Sequence, residues 1–129
     1  MRILLAPILA AVAFATCVSG CNNVSLTVLK IEDIAQQYQD DADAANKKFL
    51  KKRLEVTGVV REVTPTRAEA YVKLDGTDGT DEVASCRFPS HDEVKNLEKG
   101  ATITFRGNCM GINNKGHVGF NRCVLVQTH

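Results

Sequence analysis

Leu54-Glu55-Val56-Thr57-Gly58-Val59-Val60-Arg61-Glu62-Val63 is rich in β-branched residues, and Leu54, Val56, Gly58 and Val60 share one face of a pleated strand. A glycine at the middle of a flat strand only weakens it, whereas a strand bent around a barrel tolerates one. The run therefore predicts the first long strand of a curved, mainly β domain. Thr64-Pro65-Thr66 ends it, because proline has no N–H for a ladder.

Downstream the alternation returns four times. Ala70 to Asp75 places Val72 and Leu74 inward and Tyr71 and Lys73 outward; Val83 to Phe88 places Ala84, Cys86 and Phe88 on one side. Between them, Asp75-Gly76 to Asp78-Gly79 is turn chemistry. Ser90-His91-Asp92-Glu93 has the spacing of a capping box and predicts a short helix through Val94 and Leu97, stopped by Gly100. Ala101 to Arg106 alternates again, and a Gly/Asn-rich loop at 111–117 leads into a last strand, Val118 to Val126.

Upstream, Ile31, Ile34, Ala35, Tyr38, Ala42, Ala45 and Phe49 recur at steps of three and four, which predicts one amphipathic helix from about Glu32 to Leu50. Its acids (Asp40, Asp41, Asp43) precede its bases (Lys47, Lys48, Lys51, Lys52, Arg53), an order that suits a solvated helix better than a patch for anionic lipid. The expected architecture is mainly β with an N-terminal helix. Five antiparallel strands with a short helix between strands three and four is the topology of an OB-fold barrel.

The first twenty residues differ in kind. Arg2 is followed by a run, Ile3 to Thr16, that is apolar apart from the terminal Thr16 and shorter than the roughly 20 residues a spanning helix needs. Val18-Ser19-Gly20-Cys21 then resembles the lipobox of bacterial lipoproteins, a branched apolar residue and two small ones before the cysteine that takes the lipid. Cleavage after Ala13-Phe14-Ala15 is the competing export reading, and Phe14-Ala15-Thr16-Cys17 makes a poorer lipobox. The expected organisation is a lipoprotein signal over 1–20, a tether over 21–30 and an OB domain over 31–129. Its expected place is the bacterial cell envelope, lipid-anchored through Cys21 and facing the periplasm. Asn22 rather than Asp after the cysteine favours the outer membrane.

The whole chain holds 16 Lys and Arg against 15 Asp and Glu, and one of the bases, Arg2, lies in the leader. A balanced mature chain argues against an electrostatic nucleic-acid binder. There is no Trp, so stacking platforms are few.

Tyr38, Ala45 and Phe49, then Leu54 to Val60, Cys86 before Phe88, Lys99-Gly100, Gly107-Asn108-Cys109 and Cys123-Val124-Leu125 form an ordered set. It resembles the bacterial tRNA anti-like OB-fold family of small secreted proteins and lipoproteins, over about 30–127. Asp41 stands where that family usually has Asn, and the 76–82 segment is longer and more acidic than a minimal turn. The resemblance implies the barrel; it does not transfer tRNA binding, because fold does not imply function.

Cys109 and Cys123 fall on the last two strands, which pair as a hairpin in this topology, so a disulfide between them is expected in an oxidising compartment. Cys86 is then an inward, inert thiol. Cys86, Cys109, Cys123, His91 and His117 are zinc-ligand types, yet their spacing matches no zinc motif, and no metal or other cofactor is expected. Cys86 with His91 is the sole nucleophile–base pair the sequence offers, and Pro89 lies between them. Asp75, Asp78, Asp81 and Glu82 fall at turn spacing rather than that of a calcium loop. No catalytic set emerges. The expected ligand face is the outside of the second and third barrel strands, Tyr71, Lys73, Ser85 and Arg87, walled by 64–69 and 110–117. The expected role is a non-enzymatic binding module for an envelope protein, peptide or polymer. Single-stranded nucleic acid is the alternative partner.

Overall fold

The computed structural model describes residues 27–77 and 81–129, and the leader, Cys17 and Cys21 lie outside them. The elements run β1 (Val28–Lys30), α1 (Ile31–Asp40), α2 (Ala42–Phe49), β2 (Arg53–Pro65), β3 (Ala70–Asp75), β4 (Glu82–Phe88), α3 (His91–Val94), β5 (Thr102–Ile112) and β6 (Val118–Thr128). Strand order is β1-β2-β3-β4-β6-β5, and β5 returns to β2 and closes a five-stranded barrel. This is the OB-fold expected from the sequence. Neighbouring strands are antiparallel except for β4 with β6 and the short β1 with β2, which run parallel.

Closure depends on β2. Its first half, Arg53 to Val59, pairs with β5, and its second half, from Val59 on, pairs with β3, with a bulge between Val60 and Glu62. Gly58 sits where the strand passes from one partner to the other. A Cβ there would lie 3.1 Å from Ile31 Cγ2 and 3.3 Å from Leu74 Cδ1. The glycine thus leaves room for the start of α1, which packs across the strand; a larger residue there would press on Ile31 and Leu74.

Val56, Val60, Val72, Leu74, Ala84, Cys86, Phe88, Ile103, Phe105, Val118 and Phe120 fill the barrel. Phe105 lies at its centre, edge-on to Phe88 at 6.3 Å and to Phe120 at 5.3 Å between ring centroids. Burying one such side chain contributes roughly 1.5–3 kcal/mol. Ile31, Ile34, Ala35, Tyr38, Ala45 and Phe49 of α1 and α2 are buried in the same core, as is Val94 of α3.

The structure corrects four sequence expectations. The single helix over 32–50 is two helices. Asp41 takes an extended conformation (φ −161°, ψ 94°) and its carboxylate caps α2 by accepting from the Ala44 N–H at 3.1 Å. A capping aspartate outcompetes continuation of the helix, and Ala42 is left exposed. The capping box at α3 is not formed. Ser90 makes no side-chain cap bond, and the Glu93 carboxylate accepts from the Leu125 N–H of β6 instead. The tether expected over 21–30 stops short of Val28, because Val28–Lys30 pairs in parallel with Glu55–Thr57. The Cys109–Cys123 disulfide is absent, and all three cysteines of the barrel are buried thiols. Cys109 lies opposite Phe120 in the β5–β6 ladder, not opposite Cys123. Arg122 has a positive φ of 52°, and beyond it the Cys123 sulfur lies against Gly107.

Candidate functional site

The four residues expected to form a ligand face stand together. Tyr71 pairs with Arg87 and Lys73 with Ser85 across β3 and β4. The rows extend sideways: Thr64 of β2 lies beside Tyr71, Glu62 lies beside Lys73, and Gly119 of β6 lies beside Ser85. Tyr71 is 39% exposed, and the side chains of Lys73 and Arg87 are about as open. Outward polar positions on strands whose inward positions are fully buried produce this face.

The electrostatics differ from what the sequence suggested. Each cation has a carboxylate of its own. Arg87 holds Glu69 through both carboxylate oxygens, with Nη2 donating to Oε1 at 2.9 Å. That hydrogen bond holds the Glu69 carboxyl below its ordinary pKa. Lys73 Nζ lies 3.6 Å from Glu62 Oε2. The sequence reading missed both carboxylates. Glu62 enters only through the β2–β3 register, which the bulge displaces by one residue, and Glu69 sits in a loop whose direction no alternation reports.

Beside Lys73 and Ser85 opens a cleft of about 310 Å³ whose far wall is the 113–117 loop, with Asn113, Lys115 and His117 facing in. The loop is internally braced. Asn113 Oδ1 accepts from the N–H of Lys115 at 2.8 Å and of His117 at 3.0 Å. Gly116 turns with φ 80°, a conformation that favours glycine. His117 Nδ1 lies 3.1 Å from Glu82 Oε2, Glu82 Oε1 lies 3.8 Å from Arg61 Nε, and Arg61 Nη1 donates to the buried Asp75 at 2.9 Å. The acids that looked like a calcium loop therefore in part brace a cation: Asp75 and Glu82 hold Arg61, and Asp78 lies outside the described residues.

Past Arg87 a second cleft, of about 340 Å³, is lined by Glu69, Pro89, Asn121 and Arg122. Asn121 Oδ1 is buried there with no hydrogen-bond partner among the described residues. A third, of about 370 Å³, lies between Leu97, Ala101 and Leu125 and holds none of the expected residues. The face can thus offer one aromatic ring, two pre-paired cations and several amide and hydroxyl groups.

The candidate chemistry elsewhere is not assembled. Cys86 is fully buried, and burial, then the neighbouring Cys123 thiol, pushes its pKa up. Cys109 faces the Tyr38 hydroxyl at 3.7 Å. Among the described residues no three His, Cys, Asp or Glu side chains stand close enough to hold an ion. No described helix is long and apolar enough to cross a membrane.

The tRNA_anti-like family model matches residues 2–124. Among curated protein sequences none is significantly similar. Among solved structures, a lipoprotein from Klebsiella pneumoniae subsp. pneumoniae MGH 78578, provisionally named for nucleic-acid binding, is 16% identical with a TM-score of 0.65, over 79% of this chain and 92% of its own. A protein from Leishmania major Friedlin provisionally named an aspartyl-tRNA synthetase is 11% identical with a TM-score of 0.55. That match covers 89% of this chain and only 23% of the larger protein. At these identities the two structures share the fold with this chain.

Proposed function

The chain belongs to the tRNA_anti-like family, and from that premise we propose that it is a non-enzymatic OB-fold binding module, tethered to the bacterial cell envelope by a lipid on Cys21. Its ligand is a protein, peptide or envelope polymer received on the Tyr71/Lys73/Ser85/Arg87 face. One observation carries the reading: both cations of that face are already held by carboxylates, Arg87 by Glu69 and Lys73 by Glu62. A phosphodiester strand gains most of its affinity by releasing counterions from unpaired cations. A face of balanced charge with one aromatic ring and many amide and hydroxyl groups suits a polar, uncharged or zwitterionic partner better. The lipobox at Val18–Cys21 and the lipoprotein name of the Klebsiella neighbour support the tether. Full burial of Cys86, the one nucleophile the sequence offered, supports a role without catalysis.

Two measurements test this. Metabolic labelling with a palmitate analogue should mark the chain, and Cys21→Ala should remove both the label and the protein from the membrane fraction. An unchanged membrane fraction would remove the tether. Titration with single-stranded oligonucleotides at low salt should give no saturable binding. Binding that weakens steeply with salt and is lost in Tyr71→Ala would instead establish the nucleic-acid reading, which the neighbour's name and the Tyr71–Arg87 pair favour.

A further inference from the structure

Strands β4 and β6 separate at one end of the barrel. Their parallel ladder pairs Ala84 with Val118, Ser85 with Gly119 and Cys86 with Phe120, and it ends there. One more step of that register would set Asn121 opposite Arg87. Instead a cleft of about 340 Å³ opens, lined by Glu69, Arg87, Pro89, Asn121 and Arg122. On its other side β6 is bulged against β5, between the Asn108–Asn121 and Arg106–Val124 pairs. Arg122 sits in that bulge with φ 52°, a left-handed conformation that favours glycine. Arg53 Nη1 holds it there, donating to the Arg122 carbonyl at 3.1 Å and to Asn108 Oδ1 at 3.3 Å. A long cation therefore stands at the cleft where the backbone favours a residue with no side chain. Two groups of the cleft are unanswered. Asn121 Oδ1 is buried with no hydrogen-bond partner among the described residues. Glu69 gives both carboxylate oxygens to Arg87, and the exposed Arg122 joins no ion pair among the described residues.

We propose that this cleft is a subsite for the carboxyl end of a peptide, an inference that rests on the proposed binding role and names its ligand class. The terminal carboxylate pairs with the Arg122 guanidinium, whose planar fork matches it in two parallel hydrogen bonds. The N–H of the same terminal residue donates to Asn121 Oδ1, which otherwise stays buried without a donor. The preceding residues run back over the cross-strand row of Arg87, Tyr71 and Thr64, where the Tyr71 ring gives them an apolar surface. Charge selects this class. The face is balanced up to Arg87, and Arg122 adds one cation beyond it, so the cleft has one acid and two bases and suits a single carboxylate. A phosphodiester offers Asn121 an acceptor where it needs a donor, and the Glu69 carboxylate opposes a dianionic phosphate. A neutral sugar hydroxyl would satisfy Asn121 and leave Arg122 alone. A peptide end carries the donor and the anion on one residue.

The test titrates the full-length chain with two libraries of random N-acetylated tripeptides, one with free carboxyl ends and one amidated, and follows backbone and side-chain amide signals by NMR. The acids should shift the Asn121 and Arg122 signals saturably and bind at least about tenfold more tightly than the amides, the worth of one charge-assisted bond. Arg122→Gln changes an exposed side chain and should abolish that ratio. Asn121→Leu should weaken acids and amides alike. Equal affinity for the two libraries, or a ratio that survives in Arg122→Gln, would overturn the subsite. So would shifts confined to the 113–117 cleft, or no saturation by either library. Equal binding of both across Tyr71, Lys73, Ser85 and Arg87 would strike the carboxyl subsite alone and leave the proposed binding face standing. An oligothymidylate that moves the Asn121 and Arg122 signals where the peptides do not would strike both.

Discussion

Strands β3 and β4 present two surfaces built on opposite rules. Inward, Val72, Leu74, Ala84, Cys86 and Phe88 are fully buried and belong to one hydrophobic core. Outward, Tyr71 and Arg87 are exposed, Lys73 and Ser85 are partly so, and the two cations lean on Glu62 and Glu69. The inner face is held by close packing, where a missing methylene leaves a void. The outer face is held by exposed ion pairs, which contribute little and are screened by salt. The same strands can therefore keep a fixed barrel while their outer residues change, and a ligand site on them costs the fold little.

The sharpest challenge to this contrast is Phe105→Ala, which empties the space between Phe88 and Phe120. It should lower unfolding free energy in urea by about 3–5 kcal/mol. A loss below about 1 kcal/mol would mean that the barrel centre is not closely packed. Gly107→Ala comes next. Its new methyl meets the Cys123 sulfur, and a cost of about 1–3 kcal/mol is expected. Adding Cys123→Ala should return part of that loss in a double-mutant cycle, and strict additivity would show that the two sites are not in contact.

A third effect is smaller and depends on pH. Burial, reinforced by the Cys109 thiol, raises the Tyr38 pKa above its ordinary value of about 10. The folded state therefore holds that proton more tightly than the unfolded chain, and the associated stability is complete below about pH 10 and lost as pH rises further. Ultraviolet titration should show one of the two tyrosines ionising only as the barrel unfolds. Two tyrosines titrating together in the folded protein would contradict it.

The smallest effect belongs to the outer face. Arg87→Ala should shift the urea midpoint less than any substitution above, and added salt should reduce even that shift. The Glu69 carboxyl is depressed in the folded state, so its contribution is present above the ordinary carboxylate pKa of about 4.3 and fades as pH falls below it. The Arg87→Ala shift should vanish in acid. A shift that grows in acid would mean that Arg87 acts on something other than Glu69.

Local pattern was enough for most of the barrel. The period-two runs at Ala70–Asp75 and Val83–Phe88 report strands because alternation in burial is a property of each residue and its near neighbours. For the same reason the parity that put Tyr71, Lys73, Ser85 and Arg87 on one outer face could be read before any coordinates. Asp41 shows where local reading went astray. A helix-period apolar stripe runs through it, yet its own carboxylate is the better partner for the Ala44 N–H. Glu93 erred the other way, toward a local cap that lost to the Leu125 N–H, thirty-two residues away.

The amino-acid order thus carried the fold class and the inward and outward faces, since both depend on composition and short-range periodicity. Strand register and bulges settled the rest. The shift between Val60 and Glu62 put a carboxylate beside Lys73, and the turn at Arg122 brought the Cys123 sulfur against Gly107 rather than opposite Cys109. A one-residue slip reverses which side chains meet, and it is set by how the whole barrel closes.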